Sequence, residues 1–420
     1  MGGFTGSLLY ADADGRSILE DSCSVTVVPE ATVIVPSRAS PLAIDLGDVT
    51  AIDAVEFELI LTLHTGQRLA LRRFGRAFET LRRDLVEAWR TRLVACFLLQ
   101  DLQELARFDG VVRYAGSPEG NVPAECRMYR SNFAVLPARG EPFQWRLADI
   151  DGVQFDRDTW EVTVVSSNGT AVISKLAKRT EEFVGRLDQA RAQVAEAGMA
   201  ALAACLSPLE SDALRRVASA WRDGQAVRIE ALGAIDSGFE SALIHNAVDD
   251  ELRPFVEALR ARAHGAPFVG FTVAREMDED DGPLSADEPP AIFWLLFPLG
   301  DDFVAWETAS RSGRATYVFR LSALAGSQPG VHEAGVTVED AAIHALTSAL
   351  AAISFRRMPV YLSDEALQAE RFRRYLVASR RVPAVALLRR AFVGRALHGE
   401  IDAWTTQLDT LVGSAGARHA

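Results

Sequence analysis

Lysine is almost missing from this chain. Of 44 basic residues only Lys175 and Lys178 are lysines, and the rest are arginines. That bias reads as the codon usage of a GC-rich bacterial genome before it reads as function. Cysteine is scarce too. Four in 420 residues, with no Cys-x-x-Cys pair, make neither a disulfide framework nor a zinc site. Cys23, Cys96, Cys126 and Cys205 are expected as buried thiols that pack like small hydrophobes, with a disulfide within each copy of a duplicated segment as the alternative. No apolar run is long enough to span a bilayer, and the longest uncharged stretch, Ala341 to Phe355, contains His344, Thr347 and Ser348. The first residues, Met1-Gly-Gly-Phe-Thr-Gly-Ser7, have no basic or apolar region of a signal peptide, so a soluble cytoplasmic protein is expected.

Local catalytic motifs are missing as well. There is no phosphate-binding Gly-x-x-x-x-Gly-Lys loop and no Gly-x-Gly-x-x-Gly turn opening a helix. The seven histidines are scattered, without His-Glu-x-x-His or a cluster at metal-ligand spacing. No catalytic residue, cofactor or metal is therefore assigned. The net charge of −13 argues against nucleic acid as a partner, because that affinity rests on neutralising phosphates. Composition is otherwise that of a folded protein, with 49% hydrophobic and 24% charged residues.

What the chain does have is a duplication. Pro142-Phe-Gln-Trp-Arg-Leu-Ala-Asp-Ile-Asp-Gly-Val153 lies over Pro41-Leu-Ala-Ile-Asp-Leu-Gly-Asp-Val-Thr-Ala-Ile52 without a gap. Pro41/Pro142, Leu46/Leu147 and Asp48/Asp149 are identities. Phe57-Glu58 answers Trp160-Glu161, Gly6 answers Gly110, and Phe78 answers Phe183. A period near one hundred residues is the size of a small domain rather than of a solenoid repeat. Each copy reads as short Val-, Ile- and Thr-rich strands followed by one amphipathic helix, marked in the first copy by Phe78, Leu81, Leu85, Trp89 and Leu93. Trp145 and Trp160 sit in strand patterns and are expected in the core.

In element order and length, residues 4–205 resemble the PH-like superfold: several antiparallel strands closed by a single helix. The resemblance implies an α+β fold with tandem PH-like β-barrel or sandwich modules at 1–100 and 101–206. A helical linker at 207–265 is expected next, its first helix opened by a capping box at Ser207-Pro208-Leu209-Glu210. A third β-rich unit with a closing helix follows at 266–355, a possible worn copy, containing an acidic loop at 276–288. Phosphoinositide-binding members of that superfold hold phosphate with cations near the first strand turn. Here those turns, 11–15 and 115–121, carry Asp12, Asp14 and Glu119, with Arg16 the lone exception. The resemblance therefore implies a protein-binding adaptor or scaffold rather than a lipid reader.

The last segment, 356–420, is expected as an Arg-rich helical tail. Ten arginines between Arg356 and Arg395 face only Asp364, Glu365 and Glu370. Arg371, Arg373, Arg374, Arg380 and Arg381 are the candidate binding residues. They have two possible tasks: docking an acidic protein partner or anionic membrane, or bracing the chain's own acidic body, which its net charge favours. An enzyme of unrecognised type is the remaining alternative, since sites can assemble from distant residues.

Overall fold

The computed structural model describes residues 3–99, 102–115, 120–140, 142–207, 209–273, 291–300, 302–309, 314–325 and 337–416. The expected acidic loop at 276–288 lies outside them. The chain is mixed α+β and forms two compact units, Met1–Ala190 with Arg373–Arg381, and Arg191–Phe372 with Val382–Ala420.

The first unit contains the duplication. Its first module runs β1 (Phe4–Ala11), β2 (Ser17–Val27), β3 (Ala31–Pro36), β4 (Leu42–Asp45), β5 (Val49–Val55), β6 (Glu58–Leu63), β7 (Arg68–Arg72) and α1 (Phe78–Cys96). Its second runs β8 (Glu104–Tyr114), β9 (Val122–Tyr129), β10 (Asn132–Pro137), β11 (Phe143–Arg146), β12 (Ile150–Asp156), β13 (Glu161–Ser166), β14 (Gly169–Ser174) and α2 (Thr180–Cys205), a helix whose residues from Arg191 onward belong to the second unit. The strand orders are β4-β3-β2-β1-β7-β6-β5 and β11-β10-β9-β8-β14-β13-β12, the same topology twice. Period-two alternation builds each sheet: Leu59, Leu61 and Leu63 of β6 point inward, as do Val162, Val164 and Ser166 of β13. Gly6 and Gly110 mark the same close approach, since a Cβ at either would strike the backbone carbonyl of Arg72 or Ser174. Helix α1 closes the first module with Leu81, Leu85 and Trp89, and the Trp89 indole N–H donates to the Val49 carbonyl at 2.9 Å.

All four cysteines are buried and free, as expected. Burial pushes the Cys96 and Cys205 thiols up to about 12, so both stay protonated at neutral pH. Trp145 is buried, but Trp160 is a correction. It sits at the β12–β13 turn with φ 56° and is 54% exposed. Its counterpart Phe57 has φ 66° and is 77% exposed. A turn residue is released from strand alternation, so neither aromatic is drawn into the core.

The second unit corrects the expected divisions. Its six-stranded antiparallel sheet is β15 (Ala226–Arg228), β16 (Phe268–Thr272), β17 (Ile292–Leu299), β18 (Phe303–Thr308), β19 (Ala315–Arg320) and β20 (Phe392–Leu397), in sequential order. That order lacks the crossover by which the first and last strands pair in both modules. The supposed linker supplies β15 and α3 (Ser211–Ala220), α4 (Ile229–Gly233), α5 (Phe239–Ala247) and α6 (Arg253–Arg262). Their Val217, Leu232, Phe239 and Leu259 share one core with Phe271, Phe293 and Leu295 of the sheet. Residues 207–265 are thus a packed layer, because their apolar faces need a sheet to cover. Helix α3 starts at Ser211 rather than at the predicted capping box, with Glu210 as N-cap.

Downstream come α7 (Ser322–Ala325), α8 (Val338–Ala352), α9 (Met358–Tyr361), α10 (Asp364–Leu367), α11 (Arg373–Arg381), α12 (Pro383–Ala391) and α13 (Ile401–Gly416). The tail is not all helix. Phe392–Leu397 pairs with β19 as the sheet's last strand, and Gly394 gives Leu411 of α13 room against it. Pro383 stands in the first turn of α12, where its missing N–H costs no helical hydrogen bond.

Candidate interaction site on the first module

The arginine helix α11 belongs to the first unit, although the chain on either side of it belongs to the second. Its receiving surface is the single helical turn Leu46–Asp48 between β4 and β5. Asp45 builds that turn by accepting from the Gly47 amide at 2.8 Å. Arg92 of α1 grips the same carboxylate as a fork, Nε donating to Oδ1 at 3.0 Å and Nη2 to Oδ2 at 2.9 Å. Both partners are buried, so the bidentate geometry is what makes the pair tolerable.

Helix α11 adds its own cations to this turn. Arg373 Nε lies 3.3 Å from Asp45 Oδ2, and Arg380 Nη1 donates to Asp48 Oδ1 at 3.3 Å. Arg381 Nη1 donates to two carbonyls, Gly47 O at 3.3 Å and Val49 O at 2.9 Å. Between these contacts Val377 closes on Gly47: a Cβ at position 47 would strike the Val377 methyl and crowd the Cys96 sulfur. Tyr375, Val377 and Ala378 are the buried residues of the helix.

Three of the five predicted arginines are therefore brought together on the first module. The other two lie over neighbouring aromatic rings. Arg371 lies over the Phe372 ring at 4.4 Å, and Arg374 lies over the Tyr375 ring at 4.8 Å and donates to its hydroxyl. The acceptors Asp45, Gly47 and Asp48 were missed by sequence reasoning. The duplication held a signal for them, because the second copy has Arg146 and Ala148 where the first has Asp45 and Gly47.

A second polar constellation lies inside the second unit. The Glu307 carboxylate on β18 is fully buried; its Oε2 accepts from Thr316 Oγ1 at 2.5 Å and pairs with His398 Nε2 at 3.1 Å. The Trp404 indole N–H donates to Thr316 Oγ1 at 3.0 Å, and Phe255 stacks on the His398 ring at 4.4 Å. Burial raises the Glu307 pKa, with His398, Thr316 and Arg357 working against it. Its Oε1 has no hydrogen-bond partner among the described residues. The group can hold a proton, yet neither Glu307 nor Thr316 has exposed surface to meet a substrate. Sequence reasoning missed it because its members are spread from 307 to 404.

Among the described residues no cluster of His, Cys, Asp and Glu could hold a metal ion, and no helix is long and apolar enough to cross a membrane. No protein-family model matches the chain, and no curated protein matches its sequence.

Proposed function

We propose that this chain is a non-catalytic protein-binding adaptor or scaffold whose two N-terminal modules are PH-like. The repeated strand order with a closing helix supports the PH-like reading. One observation carries the adaptor reading: the first module holds a helix on its surface through side-chain-specific contacts with Asp45, Asp48 and two backbone carbonyls. A surface that selects a helix in this way uses the chemistry of protein recognition, with charge complementarity at a rim and an aliphatic contact at the centre. The membrane reading has less support, since Arg373, Arg380 and Arg381 are spent within the first unit.

The test is reconstitution. Proteins captured from a native lysate by the full chain would be purified and recombined with it, with complexes followed by size-exclusion chromatography and calorimetry. A complex that survives purification and weakens on substitution of module residues is the expected result. A complex indifferent to both modules, or small-molecule turnover that purifies with the chain, would overturn the reading.

A further inference from the structure

We infer that the turn at residues 45–49, with the face of α1 behind it, is a recognition site for a cationic amphipathic helix of a partner protein, and that α11 fills this site in cis. The inference rests on the adaptor reading and supplies the partner's chemistry. The contacts come from one stripe of α11. Arg373, Val377, Arg380 and Arg381 stand at i, i+4, i+7 and i+8, which share one helix face. The acceptors are of three kinds: two carboxylates, two carbonyls and a glycine that leaves room for an aliphatic side chain. Such a set reads position as well as charge.

The holding energy suits exchange. Arg373 and Arg380 are 61% and 44% exposed, so both cations keep much of their hydration and their ion pairs are weakened by salt. The buried charge is already balanced by Arg92 and keeps its fork when α11 leaves. A competing helix with an arginine, an aliphatic residue four positions on, and arginines at seven and eight would satisfy the same acceptors. The second module does not offer them, because Arg146 and Ala148 replace Asp45 and Gly47. The site therefore takes one partner helix per chain.

The experiment uses the full chain with Arg373→Glu, Arg380→Glu and Arg381→Glu together, its fold checked by circular dichroism. The probe is a fluorescent peptide copying residues 370–383. Binding to the variant should be at least about tenfold tighter than to the wild type, whose site is filled. It should weaken as salt rises from about 0.05 to about 0.5 M, and be lost when Gly47→Ala is added. Should the triple variant fail to fold, Val377→Asp alone vacates the site while keeping every cation. Equal binding to folded variant and wild type, or indifference to Gly47→Ala, overturns the inference and leaves α11 a structural brace. Wild-type binding to phosphatidylserine vesicles that the triple substitution abolishes would also overturn it, assigning the arginines to lipid. A partner that binds a different module surface would sink this inference while sparing the adaptor reading, so the two fail separately.

Discussion

The turns Asp45-Leu46-Gly47-Asp48 and Arg146-Leu147-Ala148-Asp149 occupy the same place in two modules of one topology. Their backbones agree: each is a single helical turn flanked by extended residues, Asp45 at φ −65° and Arg146 at φ −70°. Their chemistry does not. The first turn takes its cations from elsewhere, Arg92 on α1 and three arginines on α11. The second carries a cation of its own, with Arg146 3.9 Å from Asp149. Duplication has kept the scaffold and changed two of its positions, Asp45 to Arg146 and Gly47 to Ala148, which alters both the charge of the turn and the room beside it. Shape came from the repeat; address came from divergence.

The comparison can be broken most forcefully at Arg92. Arg92→Leu leaves the Asp45 carboxylate buried without its fork and should cost about 3–5 kcal/mol by chemical denaturation. A loss below about 1 kcal/mol would mean that α11, rather than α1, neutralises the turn. Gly47→Ala should cost about 1–3 kcal/mol by driving a methyl into Val377, whereas the reciprocal Ala148→Gly should cost about 1 kcal/mol or less. The same Gly47→Ala variant, with the other three cysteines replaced, should label faster at Cys96, measured as a thiol-modification rate. The smallest effect belongs to Arg380→Ala, about 0.2–1 kcal/mol and vanishing in high salt, checked by melting at two ionic strengths.

One prediction concerns sign rather than size, and contrasts two of the buried carboxylates, Asp45 and Glu307. Asp45 is gripped on both oxygens, whereas Glu307 is held on one and its pKa is raised by burial. A carboxyl raised in the folded state stabilises the protein fully below its unfolded value near 4.5, and that contribution is lost as pH rises through the folded value. Wild type should therefore lose stability relative to Glu307→Gln as pH increases from about 4.5 to about 8, in denaturation series run side by side. A gap that does not change with pH would show that Glu307 stays charged.

The duplication was legible because strand alternation and turn residues repeat within one hundred positions. Local chemistry is also plain at the start of α8. Thr337 opens α8 with a true capping box, its hydroxyl accepting from the Asp340 amide and the Asp340 carboxylate accepting from the Thr337 amide. What failed was long-range. Phe392–Leu397 is half-exposed along most of its length, so no alternation marked it as a strand before β19 was known to be its neighbour. The linker's helices showed amphipathic faces but not the sheet that covers them. The arginines of α11 were visible as a cluster, yet only the fold shows that three of them address residues more than three hundred positions earlier.

That separation has a consequence for how the protein is made. Arg381 reaches a carbonyl 334 residues behind it, whereas Arg92 reaches Asp45 across only 47. At about 5–20 residues per second, a ribosome needs roughly twenty seconds to a minute to cover the longer distance. Through that interval the first module stands folded or folding with its acidic turn open to the cell, and Arg92 is the guanidinium already in place there. The helix arrives late, at a site that the nascent chain has already offered to every other basic helix in reach.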